Sequence, residues 1–331
     1  MNRLARKRVL VTGAAGFVGS HFAPYLAARG FKVRAIDVHP PATSPDGVEF
    51  RVKDIRDGRG LAAALEGIDT VFNLASVHLD VHATAAQFES VNVRALEQLI
   101  ALSAAARVRR VVQVSSVGVY GHIERPPATE DAPLNPENDY ERTKAAGEAA
   151  ARRAAREHGV DLVIVRPSWV YGLGCPRTRK LLKSLRQRQF FFIGRGRNLR
   201  HPIYIEDLNA ALELTAAAGA QIAGRIFNIA GPRWMSVEEM VDEFARALAV
   251  PLPVVHVPRW LGLTVGWTAE RVSAIVGAEP PVSRRTLAFF ENDNAFDIGA
   301  ARRSLGFEPR TDLEEGARAV VANGGAAFAA A

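Results

Sequence analysis

The sequence predicts an α/β fold, a doubly wound parallel sheet with a smaller, interleaved C-terminal lobe. Short runs of β-branched residues alternate with alanine-rich stretches of helical spacing, and this alternation is typical of a parallel sheet with helices on both faces. A glycine-rich turn lies between the first run and the first helical stretch. The runs that predict strands are residues 9–11, 32–37, 70–74, 110–115 and 162–166.

The first predicted strand leads into the turn that carries Gly13, Gly16 and Gly19. In a phosphate-binding turn, the first glycine allows the tight bend, the second lets a pyrophosphate approach, and the third packs the helix against the strand. The N–H groups at the start of the helix then face the anion. This order predicts a Rossmann-type dinucleotide site, whereas the spacing G-x-x-G-x-x-G taken alone also suits an ordinary turn.

The second predicted strand ends at Asp37, where a carboxylate would meet the hydroxyls of an adenosine ribose. A 2′-phosphate would be repelled there, and the next residues, Val38, His39 and Pro40, offer no arginine to accept it. The sequence therefore predicts NAD as the cofactor, rather than NADP. The alternative interpretation of Asp37 is a helix or turn cap.

Tyr140 and Lys144 lie four residues apart in a helical pattern, with Ser116 upstream. Side chains at this spacing share one helix face, so the ammonium lies near the phenol. A nearby cation favours phenolate, and a phenol with a lowered pKa can act as a general acid or base near neutral pH. Because Tyr-x-x-x-Lys also occurs on solvated helices, the prediction depends on the surrounding motifs.

Eight motifs in one order resemble those of the extended short-chain dehydrogenases/reductases, in the NAD-dependent epimerase/dehydratase family. The resemblance covers nearly the whole chain and implies that Tyr140 takes the proton of a secondary alcohol while hydride passes to the nicotinamide. Ser116 would bond the same oxygen, and Lys144 would also bond the nicotinamide ribose. The motifs occupy residues 12–19, 52–56, 73–76, 115–121, 140–144, 165–172, 201–207 and 296–309.

The resemblance also implies a set of cofactor contacts along the carboxyl ends of the strands. For Asn92, either a supporting hydrogen-bond network or the satisfaction of a buried backbone group is consistent with the sequence. The implied cofactor residues are Gly13, Ala15, Gly16, Phe17, Val18, Asp37, Asp54, Ile55, Leu74, Ala75, Ser76, Asn92, Ser115, Tyr140, Lys144, Pro167 and Ser168.

We expect an NAD-binding Rossmann domain over residues 1–171. The chain would return to the sheet near 203–208 and 225–229, and residues 172–202 and 232–323 would form the substrate-binding lobe. Residues 177–200 contain nine basic residues and no acidic one, which suits the pyrophosphate of a nucleotide-sugar. The candidate substrate residues are Ser116, Tyr140, Arg177, Arg195, Arg200 and Arg285. A solvated charged face is the alternative.

A second hypothesis comes from the apolar stretches 260–267 and 274–276, followed by Glu279-Pro-Pro-Val282. They resemble the C-terminal part of 3β-hydroxysteroid dehydrogenase-like and dihydroflavonol reductase-like enzymes, which would imply an NAD(P)-dependent oxidoreductase of a bulky apolar substrate. Core packing or a dimer contact would explain the same stretches. A third hypothesis, a non-catalytic dinucleotide sensor, conflicts with the complete set of Ser116, Tyr140 and Lys144.

Composition is consistent with a cytoplasmic enzyme. The chain has 331 residues, of which 48% are hydrophobic and 23% charged, enough to bury a large core. A single cysteine, Cys175, excludes an internal disulfide framework, and no zinc-ligand spacing is present. The formal charge is +7, yet no nucleic-acid-binding motif accompanies it, and no apolar run reaches the length of a membrane span. We therefore expect neither metal, nucleic acid nor membrane as a partner; family resemblance implies a homodimer through the helix of Tyr140.

Overall fold

A computed structural model describes residues 7–43, 45–78, 83–261 and 289–324. In chain order its strands are β1 (Arg8–Thr12), β2 (Lys32–Asp37), β3 (Val48–Val52), β4 (Thr70–Asn73), β5 (Arg110–Val114), β6 (Asp161–Pro167), β7 (Val170–Tyr171), β8 (Phe192–Ile193), β9 (Leu199–Arg200), β10 (Ile203–Tyr204), β11 (Ile226–Ile229), β12 (Met235–Ser236) and β13 (His256–Val257). Its α-helices are α1 (Phe17–Ala28), α2 (Gly58–Leu65), α3 (Ala85–Glu89), α4 (Ala95–Ala105), α5 (Asp139–His158), α6 (Pro176–Arg186), α7 (Ile205–Ala217), α8 (Val237–Ala247), α9 (Gly299–Leu305) and α10 (Leu313–Asn323).

Seven parallel strands form the main sheet, in the order β11-β6-β5-β4-β1-β2-β3. Helices α1, α7 and α9 pack on one face, and helices α2, α4 and α5 pack on the other. Apolar strand residues supply both cores, because every second side chain points to the opposite face. All five predicted strands are present, each within one residue at either end.

The sequence analysis missed β3, the edge strand. Its residues Val48, Phe50 and Val52 alternate with Glu49 and Arg51, and the alternation follows a glycine. This period of two is the pattern of a strand with one exposed face. The segment is mostly half-buried or exposed, so it lacks the continuous apolar run that marks the central strands.

The expected return to the sheet near 203–208 is wrong, whereas the return near 225–229 is confirmed as β11. Strand β10 has two residues and pairs with β7 outside the main sheet, and α7 begins directly after it. Two acidic residues in the first turn, Glu206 and Asp207, favour a helix start there. The buried residues Ile205, Leu208 and Leu212 follow helical spacing.

Arg110, at the start of β5, joins the sheet to α7 from a fully buried position. Its Nε and Nη2 donate to Asp161 Oδ2 at 2.9 and 2.6 Å, which ties β5 to β6. The same guanidinium donates to the carbonyl oxygens of Thr215, Ala218 and Gly219 at 2.6 to 2.8 Å. These carbonyls lie at the end of α7, where helical partners are missing.

The smaller lobe is built from α6, α8 and α10 with the two-stranded pairs β8–β13 and β9–β12. Its described part has an apolar core of its own, whereas the domain boundaries remain a prediction. Within the described residues, no helix combines the length and apolarity that crossing a bilayer requires. The lobe core includes Tyr171, Leu182, Leu185, Phe192, Met240, Phe244 and Val320.

Candidate active site

The glycine turn has the geometry that each of its three glycines predicts. Gly13 has a φ of +67°, and a Cβ there would lie 2.6 Å from the N atom of Ala75. A Cβ on Gly19 would collide with the carbonyl of Gly13, so the start of α1 packs closely on the turn. A Cβ on Gly16 would have only the Gly13 oxygen within 4 Å, at 3.3 Å. Gly16 is therefore the least crowded of the three glycines, as the approach of a pyrophosphate requires.

A chain of buried polar side chains crosses the strand ends beneath this turn. Thr12 Oγ1 donates to Asn73 Oδ1 at 2.5 Å, and Asn73 Nδ2 donates to Gln113 Oε1 at 2.7 Å. Thr12 Oγ1 also accepts from the N–H of Ala75 at 3.2 Å. Thr12 and Asn73 lie within predicted motifs, 12–19 and 73–76, but none of the three side chains was named as a site residue. Thr12 pairs with Asn73, and Asn73 with Gln113, in strand register, so polar residues at matching strand ends were the available signal.

Asp37 closes the glycine turn from the end of β2. Its Oδ2 accepts from the N–H of Ala15 at 2.9 Å, and its Oδ1 accepts from the N–H of His39 at 3.0 Å. A carboxylate offers about four acceptor positions, so two N–H groups leave capacity for ribose hydroxyls. Asp37 therefore caps the turn, as one of its two interpretations predicts. Its contact with the ribose of the cofactor remains a prediction.

Asp54 and Ile55 lie in the loop after β3, as the motif comparison predicts. Ile55 is buried in the core on one face of the sheet. Asp54 accepts from the backbone N, Nε and Nη2 of Arg56 at 2.6 to 3.0 Å. Hydrogen bonds from Arg56 lower the pKa of the Asp54 carboxyl. The carboxylate is therefore held in place by Arg56, a residue that the sequence analysis did not single out.

Helix α5 carries the predicted catalytic pair. It begins after Asn138, whose side chain accepts from the N–H of Glu141 at 3.0 Å and so caps the first turn. Tyr140 is half-buried, and its ring centroid lies 4.4 Å from that of His78. Lys144 follows one turn later on the same face and is buried.

Lys144 is anchored to the end of β5. Its Nζ donates to the carbonyl oxygen of Val114 at 2.7 Å. Burial lowers the pKa of Lys144 to about 8, against the opposing charge of Glu148 one turn further along the helix. The ammonium therefore lies directly below the strand end that leads into Ser115 and Ser116.

Ser116 begins the 3₁₀ turn Val117–Tyr120 in an extended conformation. Its Oγ accepts from the N–H of Gly118 at 3.0 Å. A hydroxyl that accepts one hydrogen bond still has its own proton to donate. The turn therefore orients Ser116 and leaves it able to donate to a substrate oxygen.

Asn92 lies in a π-helical turn, Ser90–Arg94, and serves both of its predicted roles. Its Oδ1 accepts from Ser76 Oγ at 2.9 Å and from the N–H of Val77 at 3.1 Å. Its Nδ2 donates to Thr143 Oγ1 at 3.1 Å, on the catalytic helix. A Cβ on Gly147 would collide with the Asn92 carbonyl, so α5 and the π-helical turn are in close contact.

Two serine hydroxyls at the strand ends have no partner within the described part of the chain. Ser115 Oγ follows β5 and Ser168 Oγ follows Pro167, the last residue of β6, and both oxygens are buried. Buried hydroxyls are normally hydrogen-bonded. Their positions therefore indicate a polar ligand above the carboxyl ends of β5 and β6.

A buried ion-pair network supports α5 from below. Arg166 on β6 donates to both carboxylate oxygens of Glu148 at 3.0 and 2.6 Å, and to Tyr120 OH at 2.7 Å. Tyr120 OH donates to Asn228 Oδ1 on β11 at 2.8 Å. Although burial alone would lower it, the hydrogen bonds and charge of Glu148 raise the pKa of Arg166. Tyr120 and Arg166 lie within predicted motifs, 115–121 and 165–172, but neither they nor Glu148 and Asn228 were named as site residues.

The candidate substrate arginines occupy different environments. Arg177 lies in the first turn of α6 and is exposed to solvent. The surrounding protein lowers the pKa of its guanidinium, and the charge of Tyr140 is the largest of the effects that oppose this shift. A substrate contact by Arg177 remains a prediction. Arg195 is exposed in the turn after β8. Arg285 lies outside the described residues, as do the apolar stretches beyond Leu261.

Arg200 is buried and bonds to the protein itself. It donates to the carbonyl oxygens of Leu199 at 2.9 Å, Asn292 at 2.6 Å and Phe289, and it lies 4.5 Å from the centroid of the Phe289 ring. Burial lowers the pKa of Arg200 to about 9. These contacts hold the segment around residue 290 against β9 and use the guanidinium of Arg200 within the protein. A substrate contact by Arg200 remains a prediction. Across the described ranges, no group of three or more His, Cys, Asp or Glu side chains is arranged to hold a metal ion.

Comparison with known proteins assigns the family. Residues 9–230 match the family described as NAD dependent epimerase/dehydratase. The chain belongs to this family. Family members that resemble it include the dTDP-glucose 4,6-dehydratase of Streptomyces griseus, 30% identical over 337 residues, with 95% of this chain and 93% of that protein covered. The N-acetyl-alpha-D-glucosaminyl-diphospho-ditrans,octacis-undecaprenol 4-epimerase of Escherichia coli O157:H7 is 28% identical over 319 residues, covering 93% and 92%.

Among solved structures, MoeE5 in complex with UDP-glucose and NAD has a TM-score of 0.77 at 27% identity. The match covers 97% of this chain and 99% of that chain. The predicted family, the Rossmann-type fold, the NAD-dependent enzyme class and NAD as the cofactor are therefore confirmed.

The residues of the site fit the NAD of this family. Gly16 is the least crowded glycine of the phosphate-binding turn, and the buried hydroxyls of Ser115 and Ser168, which have no partner among the described residues, offer hydrogen-bonding groups after β5 and β6. Asp37 has acceptor capacity beside the same turn. A dinucleotide that extends from Asp37 past Gly16 to Ser168 would cross the carboxyl ends of β2, β1, β4, β5 and β6.

Proposed function

We propose that this chain is an NAD-dependent epimerase or dehydratase that acts at a secondary alcohol or ketone carbon of a nucleotide-sugar. The observation that carries the substrate class is the match, over more than nine-tenths of the chain, to proteins named for sugars joined to a diphosphate. Arg177, exposed in the first turn of α6, is the candidate cation for that diphosphate. An arginine fork matches phosphate oxygens in geometry and charge. In this proposal, a sugar whose reacting carbon meets Tyr140 places its diphosphate near Arg177.

Three side chains perform the proton chemistry in this proposal. Tyr140 takes the proton of the substrate alcohol, and Ser116, oriented by Gly118, donates to the same oxygen. Lys144, anchored on the carbonyl of Val114, supplies the positive charge that favours the phenolate. NAD, when bound, accepts the hydride that leaves the substrate carbon.

The relatives support a sugar joined to a diphosphate as the common chemistry. The dehydratase and the epimerase described above are named for dTDP-glucose and for a diphospho-linked N-acetylglucosaminyl lipid, and MoeE5 holds UDP-glucose. Epimerases and dehydratases reuse their NAD within one turnover, so isomerase activity belongs to the proposal.

A cytoplasmic homodimer is also part of the proposal. Helix α5 exposes Ala146 and Ala149 on its outer side, where small side chains let a second helix approach. Light scattering on the purified protein measures the mass directly, and a monomer at all concentrations would contradict this part.

The test measures binding and conversion separately. We expect UDP-, GDP- or dTDP-sugars to raise the melting temperature, as a ligand that binds only the native state must. The purified protein should release NAD on denaturation and convert its sugar without net NADH. Tyr140→Phe should keep the thermal shift and lose conversion by on the order of 10²-fold or more. The absence of a shift with every nucleotide-sugar, together with net NADH formation from a sterol-like or flavonoid-like alcohol, would support the second hypothesis instead.

A further inference from the structure

A basic and partly apolar surface lies on the smaller lobe. It includes one candidate substrate residue, Arg195, and none of the three side chains that perform the proposed proton chemistry. Six exposed cations belong to it, together with four exposed apolar side chains on a neighbouring segment. We call it the docking face. Its residues are Arg179, Lys180, Lys183, Arg188, Arg195, Arg197, Val254, Val255, Trp260 and Leu261.

The positive charge of the docking face is not neutralised by the part of the protein that the structure describes. Helix α6 buries Leu182 and Leu185 against the lobe core and turns its lysines and arginines outward. The six cations form no ion pair with any residue in the ranges 7–43, 45–78, 83–261 and 289–324, and residues 177–200 contain no carboxylate. Three arginines on other helices, Arg153, Arg246 and Arg318, each pair with an acidic residue.

The apolar part of the docking face adjoins this charge through a strand pair. Strand β13 pairs with β8, which lies inside the basic segment, and the N–H of Phe192 donates to the carbonyl of Val255 at 2.9 Å. The exposed fractions are 84% for Val254, 57% for Val255 and 67% for Trp260. Four large apolar side chains exposed within eight residues are uncommon on a surface that meets only water.

We propose that the docking face binds the surface of an anionic phospholipid bilayer. Lysine and arginine heads would meet the lipid phosphates, while Trp260 and the two valines would enter the headgroup boundary, where an amphipathic indole is favoured. A nucleic acid would use the cations but leave Val254 and Val255 in water, so the bilayer accounts for more of the surface. The contact is peripheral and differs from the expectation of no membrane partner.

Membrane binding would also orient the active site. Helix α6 begins at Pro176, and the loop before it contacts α1, the helix of the glycine turn: His21 Nε2 bonds to the carbonyl of Leu173 at 2.9 Å, and a Cβ on Gly172 would lie 3.4 Å from Phe17 Cζ. The helix that carries the docking cations therefore starts beside the candidate cofactor site. A lobe seated on the bilayer would hold the site close to the lipid surface. The inference does not rest on the identity of the sugar.

The test is co-sedimentation of the full chain with lipid vesicles. We expect binding to vesicles of phosphatidylcholine mixed with phosphatidylglycerol, little binding to phosphatidylcholine alone, and release by high salt. Lys180→Glu/Lys183→Glu should weaken binding on the order of twentyfold or more, because each basic residue near an anionic surface contributes about fivefold. Trp260→Ser should weaken binding while the salt dependence persists.

A matched control separates the docking face from net charge. Lys32→Glu/Arg303→Glu makes the same charge change at exposed positions on β2 and α9, and we expect it to bind as the unmodified protein does. Thermal stabilisation by NAD should be equal in all variants and reports that they fold. The proposal would be overturned if the control lost as much binding as the docking-face variant, or if the unmodified protein failed to bind anionic vesicles. It would also be overturned if the protein preferred a duplex RNA and Lys180→Glu/Lys183→Glu abolished that binding.

Discussion

Lys144 links the chemistry of the site to pH. Its ammonium is buried and bonded to Val114, and burial lowers its pKa to about 8, although Glu148 opposes the shift. A buried amine loses its proton more easily, because the charged form is no longer stabilised by water. Near neutral pH the side chain still carries the charge that favours the Tyr140 phenolate.

We expect kcat/KM to fall as the pH rises through about 8, since deprotonation of Lys144 removes that charge. The measurement is the pH profile of the forward reaction with saturating NAD. Lys144→Arg keeps a charge throughout this range, so whatever activity it retains should lack the alkaline decline. A profile that stays flat to about two pH units above the Lys144 value, or an unchanged decline in Lys144→Arg, would contradict the assignment.

Asp37 is expected to set the preference for NAD over NADP. Asp37→Asn removes the negative charge but keeps an oxygen for the N–H of Ala15. Loss of repulsion toward a 2′-phosphate should raise the ratio of NADP to NAD use by about tenfold or more. Steady-state kinetics with both cofactors measure this ratio. If the unmodified enzyme used NAD and NADP equally well, Asp37 would not set a cofactor preference.

Residues that act through local spacing were predictable, whereas those that act across strands were not. Tyr140 and Lys144 are four residues apart on one helix, so their shared face follows from the sequence. The bond between Thr12 and Asn73 depends on strand register, which joins residues 61 positions apart.

Among the elements, helix α5 was the easiest to predict from the sequence, and the π-helical turn before α4 was the hardest. Helix α5 has a cap at Asn138, acidic residues in its first turn and Gly159 at its end. Nothing in residues 90–94 distinguishes a π-helical turn from an α-helix. Its conformation depends on the hydrogen bonds that Asn92 makes with Val77 and Thr143.

Close packing between these two elements should matter for catalysis. Gly147→Ala would place a Cβ against the Asn92 carbonyl and push α5 outward, together with Tyr140 and Lys144. We expect a loss of about 1–3 kcal/mol in the free energy of unfolding and a lower kcat. Urea denaturation and turnover measure the two effects.

Gly159→Ala is the control for this substitution. It makes the same chemical change at the other end of α5, where a Cβ meets no atom within 4 Å, although a φ of +68° makes alanine unfavourable. It should lose about 1 kcal/mol of stability and keep its kcat. A fall in kcat as large as that of Gly147→Ala would mean that helix stability, rather than helix position, limits turnover.

For the whole molecule, alternating strands and helices were sufficient to predict the main sheet but not the polar groups that join its layers. The apolar runs mark strands because they are buried on both faces. Arg110 and Arg166 interrupt such runs, and their partners come from residues distant in sequence. Edge strand β3 lacks that continuous apolar run, and the strands of the smaller lobe have only two residues each, too few to be recognised from a pattern, which explains why the lobe was predicted only in outline.

Arg110 should contribute to the stability of the entire fold, because it holds β5, β6 and the end of α7 together. Arg110→Met leaves Asp161 and three carbonyl oxygens without their donor, and we expect a loss of about 3–5 kcal/mol in the free energy of unfolding. Arg153→Ala removes an exposed pair with Glu97 and should cost less than about 1 kcal/mol.

Arg110→Met/Asp161→Leu removes both charges of the buried pair, so it should recover part of the stability that the single substitution loses. Recovery is expected to be incomplete, because the carbonyls of Thr215, Ala218 and Gly219 remain without their donor. Urea denaturation of the unmodified protein, Arg110→Met, Arg110→Met/Asp161→Leu and Arg153→Ala measures the free energy of unfolding of each. If the double variant is as unstable as Arg110→Met, the unpaired carboxylate is not the cause, and the loss comes from the released end of α7.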